Sequence, residues 1–300
     1  MKFLRCLRYE MKNMLMQKEF LVSLTLCFAF TLIWFIPSES RWFDRFFSVK
    51  SLSPEHMSFL YCYVLGRVLY QFVCPILASI PMACSYFREK KDHLDALLIP
   101  AVGRGRYVGA KALMTFVSGF IVSTLPFFIT MLYSELIFHR NEMVTVTYPQ
   151  FYDGFAQLAV EWNIFGGLMF THPVLNHLLH ITLVGLWSAG AALLSLGISF
   201  FRRRNYFINL LLGPIILLLI VIVLTVVGGG SFNPQTAFPL SPENMGSYGH
   251  AVRFNKDPRV IASYSYITPS KLGVLAVYSA VYAAGIALPI IHIKKHRNIV

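Results

Sequence analysis

The sequence has few acidic residues, and none lies inside the long apolar stretches of the chain. Only 14 of its 300 residues are Asp or Glu, and all of them fall outside the six apolar segments described below. Proteins that couple transport to protons or ions commonly carry ionisable side chains within their membrane spans. This lack counts against a self-sufficient secondary transporter or channel, although a Na⁺ site built from backbone carbonyls is still compatible with it.

Three further absences narrow the range of functions. The dipeptide Gly-Lys does not occur, so the phosphate-binding pattern G-x-x-x-x-G-K-[ST] is missing. The five cysteines lie before or within the first two apolar segments, with spacings that fit neither an extracellular disulfide framework nor a zinc site. No convincing set of nucleophile, base and metal ligands for an enzyme is present. We therefore predict no catalytic residue, no metal site and no cofactor bound by this chain.

What the chain does have is long apolar sequence. A bilayer core about 30 Å thick needs roughly 20 apolar residues in a helix to cross it, and backbone amides cannot stay unpaired in lipid. Suitable segments lie at 20–36, 59–87, 112–133, 173–201, 206–227 and 272–293. They predict an all-α integral membrane protein with six transmembrane helices in one domain, residues 1–300. The first segment has no small-x-small cleavage site after it, so we expect it to remain as an anchor.

Lys and Arg are shared unequally between the two sides that this arrangement implies. The amino terminus, the second and fourth connections and the carboxyl-terminal tail together carry 17 of them, against eight in the other connections. Cytoplasmic segments of membrane proteins are enriched in positive charge. We therefore expect both termini and residues 85–111 to be cytoplasmic, with long outer connections at 134–172 and 228–270. The net charge of +12 then reflects topology, and we expect no nucleic-acid partner.

Residues 1–19 predict an amphipathic helix. Its apolar face and its basic flank comprise Phe3, Leu4, Leu7, Met11, Met14 and Leu15, and Arg5, Arg8 and Lys12. We interpret it as a helix lying in the inner membrane interface, with its basic side towards anionic headgroups. An ordinary solvated helix is the alternative.

Polar residues inside the apolar segments are rare. Arg67 is the only Lys or Arg within a segment, and Gln71 lies one turn further along the same helix face. A charge at this depth often faces a cavity or a partner, but Arg67 could equally reach outward to the interface. His172, His177 and His180 gather at the start of the fourth segment, where no carboxylate or cysteine completes a metal site, so we favour packing.

Small residues recur at helical spacing in two segments and predict close helix packing. They are Gly185, Ser188, Ala189, Ala192, Ser195 and Ser199 in the fourth segment, and Ala276, Ala280 and Ala284 in the sixth.

The connection after the second segment has a distinctive pattern. Leu94, Leu97 and Leu98 share one face of a short predicted helix that Pro100 ends, and residues 103–106 predict a flexible basic turn. Leucines exposed between two membrane helices are suited to docking in a groove of a partner protein. The alternative is a basic loop that only sets the orientation of the chain.

In its order of residues this connection resembles the permease subunits of type-2 ABC (ATP-binding cassette) transporters. In that family an arginine–glutamate pair, a short leucine-rich helix, a proline, an arginine and a lysine follow the second span. The matching residues are Arg88, Glu89, Leu94, Leu97, Leu98, Pro100, Arg104 and Lys111. The topology predicted for the whole chain also matches. The sequence departs from the family at Asp92 and His93, where a Gly-Thr pair is usual.

The resemblance implies a role for each candidate residue. Residues 85–111, with Tyr107 among them, would couple the chain to separate ATPase subunits that bind ATP and Mg²⁺. The second and fifth spans would line a passage shared with a second permease, which makes Arg67, Gln71 and Asn209 candidates for the substrate path. The expected location is the cell membrane, as in the bacterial cytoplasmic membrane, and the expected cargo of this exporter is amphipathic or apolar.

Overall fold

The structure, a computed structural model, describes residues 2–45, 64–83, 85–137, 172–201, 205–228 and 271–295. These residues form nine α-helices, and no strand occurs among them. The helices are α1 (Lys2–Met16), α2 (Lys18–Arg45), α3 (Val64–Ser79), α4 (Ser85–Lys91), α5 (Asp95–Val102), α6 (Arg104–Ile137), α7 (Pro173–Phe201), α8 (Tyr206–Gly228) and α9 (Lys271–Lys295). The predicted all-α class is confirmed for this part of the chain.

The helices identify a multi-pass membrane protein. By length and composition α6, α7, α8 and α9 can each cross a membrane, and α1 with the first half of α2 qualifies as a fifth span if the pair, bent by 58°, is counted as one. The number of six spans stays a prediction, because the described part of α3 has only 16 residues. The sides of the membrane that the termini face also stay a prediction. Most of the predicted outer connections, 134–172 and 228–270, lie outside the described residues.

At the centre of the bundle is α7, which packs against α3, α6, α8 and α9. Its small residues let the neighbouring backbones come close. A Cβ atom added at Gly185 would lie 2.2 Å from Thr124 Cγ2 of α6 and 2.7 Å from Phe120 Cε2. The predicted close packing of the fourth segment is confirmed.

The corresponding prediction for the sixth segment is wrong within this chain. The stripe of small residues in α9 is exposed at Ala276, Ala280 and Ala284. The face that meets α7 carries tyrosines instead: the Tyr278 hydroxyl donates to the Leu183 carbonyl at 3.0 Å, and the Tyr282 hydroxyl donates to the Leu186 carbonyl. Burying large aromatic rings with satisfied hydroxyls gains more than burying alanine methyl groups.

The predicted second span, 59–87, is divided in the structure. Its helix α3 ends at Ser79, a turn follows, and α4 begins at Ser85. Pro81 explains the break, because it has no N–H to donate to the Leu77 carbonyl, which accepts from the Ile80 N–H at 3.3 Å instead. Residues 85–87 therefore belong to the connection, and we call residues 85–111 the coupling segment.

The coupling segment also differs from its prediction. It contains two short helices, α4 and α5, and His93 between them has a φ of 56°, in the left-handed region. Pro100 lies inside α5 instead of ending it. The helix ends at Val102, where Gly103 with a φ of 95° donates its N–H to the Ile99 carbonyl at 2.9 Å. Helix α6 starts at the next residue, so the predicted basic turn is reduced to one glycine.

The amphipathic helix α1 is confirmed, but its buried face is rotated from the predicted one. The side chains that pack against α6 are centred on Cys6, Glu10 and Met14, one turn apart. Half of the predicted apolar face is exposed, at Leu4, Met11 and Leu15. A helix of 15 residues is about 22 Å long, too short to cross a bilayer alone. Its place in the membrane interface stays a prediction.

Candidate functional site

A buried group of charges joins α1 to the coupling segment. This charge cluster consists of Glu10 of α1, Glu89 of α4, and Tyr107 and Lys111 of α6. Lys111 Nζ lies 2.7 Å from Glu89 Oε1 and 3.0 Å from Glu10 Oε1, and the Tyr107 hydroxyl donates to Glu89 Oε2. Glu10, Tyr107 and Lys111 are fully buried, and Glu89 is 5% exposed. The Lys111 ammonium group therefore forms ion pairs with carboxylates from two different helices.

Weaker contacts complete the surroundings of Lys111. Its Nζ lies 3.4 Å from Ser85 Oγ and 5.1 Å from the centre of the Tyr107 ring, within the range of a cation–π contact. Taking charges out of water is expensive, and their mutual attraction offsets that cost only while all partners are present. The cluster therefore joins α1, α4 and α6 through Lys111.

An apolar cluster lies beside these charges and holds α5 in place. Leu98, Ile99 and Val102 of α5 pack against Tyr107 and its buried neighbours. In the same cluster the Tyr86 ring of α4 stacks on the Phe200 ring of α7, with centroids 3.9 Å apart. The coupling segment is thus fixed both to α6 and to the end of the central helix α7.

The opposite side of α5 is open. Leu97 is 70% exposed and Leu94 is 37% exposed, whereas Leu98 is half-buried against the apolar cluster. The prediction of three exposed leucines is therefore correct for two of them. Pro100 is also exposed, and Arg104 is half-buried at the start of α6. Leu94, Leu97 and Pro100 are thus exposed residues of the coupling segment that a partner protein can touch.

Arg88 is occupied within the chain. Its guanidinium donates to Glu19 Oε1 at 2.7 Å, to Gln17 Oε1 at 2.8 Å and to the Pro81 carbonyl at 2.9 Å. In a continuous helix the Pro81 carbonyl would accept from the Ser85 N–H. Here the Ser85 N–H donates to the Met82 carbonyl instead, so Arg88 takes its place as donor to Pro81. Arg88 thereby ties α4 to the bend between α1 and α2.

Apart from the half-buried Leu98 and Arg104, the predicted coupling residues fall into two groups. Arg88, Glu89, Tyr107 and Lys111 bond to other parts of this chain, so they brace the segment internally, and Leu94, Leu97 and Pro100 face outward. Sequence reasoning missed the two acids that complete the internal group, Glu10 and Glu19. A signal was present for one of them, because Glu10 lies one turn from both Cys6 and Met14 on the side of α1 that turns inward.

The candidates for the substrate path are not gathered into one site. The side chains of Arg67 and Gln71, in α3, lie outside the described part of the structure. Asn209 of α8 is fully buried. A small apolar cleft separates α3, α7 and α8, and its lining does not include Asn209: it consists of Phe72, Pro75, Ile76, Trp187, Leu211, Pro214, Ile215, Leu217 and Leu218.

The histidines do not form a metal centre in the described residues. His177 and His180 are buried in α7 and His172 is exposed just before that helix, which agrees with packing. Among the described side chains no group of three or more His, Cys, Asp or Glu is placed to hold a metal ion.

No family model matches the chain, and neither a curated protein nor a solved structure matches it.

Proposed function

We propose that this protein is the membrane-spanning permease subunit of an ATP-driven ABC exporter. It would form the translocation path with a second permease, identical or related, and be driven by separate ATPase subunits that bind ATP and Mg²⁺. One observation carries the proposal. A short helix with exposed Leu94 and Leu97 lies between apolar helices and is braced from behind by a buried charge cluster.

The bracing supports a mechanical role for α5. An exposed leucine pair alone would serve for attachment, but this helix is also packed on Tyr107 of α6 through Leu98 and its neighbours. Force applied to Leu97 therefore acts on α6, a helix long enough to span the membrane. Through Glu89 and Lys111 the same force acts on α4 and α1. Closure of ATPase subunits against α5 would in this way tilt several helices together.

The cleft between α3, α7 and α8 supports an apolar or amphipathic cargo. It is lined by aliphatic and aromatic side chains and two prolines, Pro75 and Pro214. In the proposed assembly α3 and α8 correspond to the second and fifth spans, which would face the passage. Apolar lining binds apolar surface by excluding water and does not retain ions.

The alternative is a self-sufficient secondary transporter or channel, and one observation favours it. A buried carboxylate such as Glu10 is a possible site for a coupling proton. The position of the cluster argues against this. Lys111 lies about 10 Å from the start of α6 at 1.5 Å per residue, whereas coupling sites of such transporters lie near the middle of the membrane.

Reconstitution separates the two functions. The purified protein in liposomes should transport no cargo by itself, and transport should require an added ATPase subunit and ATP. Uphill transport by the chain alone would overturn the proposal.

A pair of variants tests the docking surface directly. Leu97→Asp should abolish retention of the ATPase subunit in co-purification, because it puts a charge where apolar contact is needed. The matched control is Leu136→Asp, a leucine that is 78% exposed near the other end of α6 and should leave retention unchanged. Equal retention by both variants would rule out α5 as the docking helix.

A further inference from the structure

The two carboxylates of the charge cluster differ in the hydrogen bonds that they accept. Glu89 accepts a hydrogen bond from Lys111 at one oxygen and from the Tyr107 hydroxyl at the other. Glu10 lies 3.0 Å from Lys111 Nζ, close enough for an ion pair, but neither of its oxygens accepts a hydrogen bond from the described residues. Its side chain is fully buried. An ionised carboxylate in this position would have Lys111 as its one donor within reach among the described residues, and would share it with Glu89.

The charges around Glu10 do not balance if every acid is ionised. Lys111 from α6 is the one cation of the cluster, and it faces both Glu10 and Glu89. The other titratable groups facing Glu10 are Tyr107 from α6 and, on α1 itself, Cys6 and Tyr9. None of these supplies positive charge. Two carboxylates and one ammonium leave an excess negative charge without solvent, which is costly.

Arg88 is not available to correct this imbalance. It is the arginine of α4, but its guanidinium donates to Glu19 of α2, to Gln17 and to the Pro81 carbonyl. The acid that α2 brings to this region, Glu19, is paired there and adds no unpaired charge to the cluster. From α5 the acid is Asp95, whose Oδ1 accepts from the exposed Ala96 N–H. The excess charge is therefore local to Glu10 and Glu89.

We propose that Glu10 is a proton-binding site: its carboxyl group holds a proton at neutral pH and thereby neutralises the buried cluster. Glu89, to which Lys111 and Tyr107 both donate, is then the acid paired with the Lys111 ammonium group. Release of the proton in alkaline solution puts the excess charge back between α1 and α6 and weakens their contact. The site itself does not depend on the proposed transport function. If that function holds, the contact between α1 and the coupling segment becomes dependent on pH.

The surroundings of Glu10 shift the pKa of its carboxyl group in the direction that the proposal requires. Burial is the largest and raises the pKa of the Glu10 carboxyl; Lys111 lowers it and Glu89 raises it further. With a pKa raised on folding, the folded protein binds more protons than the unfolded chain. The resulting stability is fully present at acidic pH, and it is lost as the pH rises through the folded pKa, above the ordinary range of a glutamate.

The variant Glu10→Gln tests the proposal, because the amide is neutral at every pH and has the shape of a protonated carboxyl. Thermal unfolding of the full chain in detergent should be followed from pH 6 to pH 9. The melting temperature of the unmodified protein should fall by several degrees over this range, and that of Glu10→Gln should fall much less. At pH 9 the variant should be the more stable of the two. The matched control Glu19→Gln should keep the full pH dependence.

Infrared spectroscopy gives a second, independent measurement. The unmodified protein at neutral pH should show the C=O stretch of a protonated carboxylic acid, and Glu10→Gln should lack that band. Three outcomes would overturn the proposal: absence of the band, a Glu10→Gln variant that is less stable than the unmodified protein across the whole pH range, and failure of that variant to fold. Each would mean that Glu10 acts as an ionised partner of Lys111.

Discussion

The charge cluster and the centre of α7 hold helices together in different ways. Around α7 the backbones themselves come close: a Cβ atom at Gly213 of α8 would lie 2.4 Å from the Ala191 carbonyl. In the charge cluster α1, α4 and α6 are joined by long side chains that meet at Lys111 Nζ. Backbone contact fixes the distance between helices, whereas contact through ionisable side chains depends on their charge. The contacts that depend on charge therefore lie next to the exposed leucines of the coupling segment.

Removing the shared cation should have the largest effect on stability. Lys111→Met leaves the buried side chain of Glu89 without its cationic partner, and loss of one partner of a buried ion pair typically costs about 3–5 kcal/mol. Chemical denaturation in detergent measures this as a drop in the free energy of unfolding.

The matched control is Lys91→Met, which removes an exposed lysine of the same coupling segment. It should leave stability nearly unchanged, because its charge is solvated in both states. Equal effects of the two substitutions would mean that Lys111 is not a buried partner of the acids, and the distinction between the two kinds of contact would fail.

Much of the fold was predictable because it follows from local physics. Hydrophobic length located α7, α8 and α9 within two residues at each end, since a long apolar helix satisfies its backbone in lipid. Helix α6 was located less well, because it begins at Arg104, eight residues before the predicted segment 112–133. The division of the second segment was not predicted. Pro81 was visible in the sequence, but a proline can kink a membrane helix or end it. The bonds of Arg88 in this region were also hidden from the sequence, because its partners Gln17 and Glu19 are distant in the chain.

The candidate site was predicted in part for the same reason. The outward leucines followed from helical spacing, a local property, although Leu98 is turned inward by Tyr107 and its neighbours. The charge cluster pairs Glu10 with Lys111, residues far apart in the chain. Sequence alone marks Lys111 as the end of a basic connection and gives no sign of which acid it meets. Tertiary partners of this kind need the structure.

Adding a methyl group where α7 and α8 are in close contact should have an intermediate effect on stability. Gly213→Ala would place a methyl group against the Ala191 carbonyl and Ser195, and overpacking of this kind costs roughly 1–3 kcal/mol. The change would also disturb the bond from Ser195 Oγ to the Leu210 carbonyl, 2.9 Å long, which replaces the N–H that Pro214 lacks. The free energy of unfolding in detergent should fall accordingly.

The control for this substitution is Gly109→Ala in α6, where the added methyl would lie 3.8 Å from Phe3 Cε2, an ordinary contact. Alanine favours helix over glycine by about 0.5–1 kcal/mol, so this variant should be neutral or slightly more stable. If both glycine variants behaved alike, close backbone approach would not explain how α7 and α8 are held.

The smallest effect should come from the exposed counterpart of the charge cluster, the pair Arg88–Glu19. Their side chains are 26% and 41% exposed, and such pairs typically contribute about 0.2–1 kcal/mol. A double-mutant cycle with Arg88→Met and Glu19→Gln should give a coupling energy in that range, and it should shrink in high salt because solvent ions screen exposed charges. Arg88→Met alone should cost more than the coupling energy, since it also removes the donors to Gln17 and to the Pro81 carbonyl. A coupling energy as large as the loss in Lys111→Met, and insensitive to salt, would show that burial does not separate these two ion pairs.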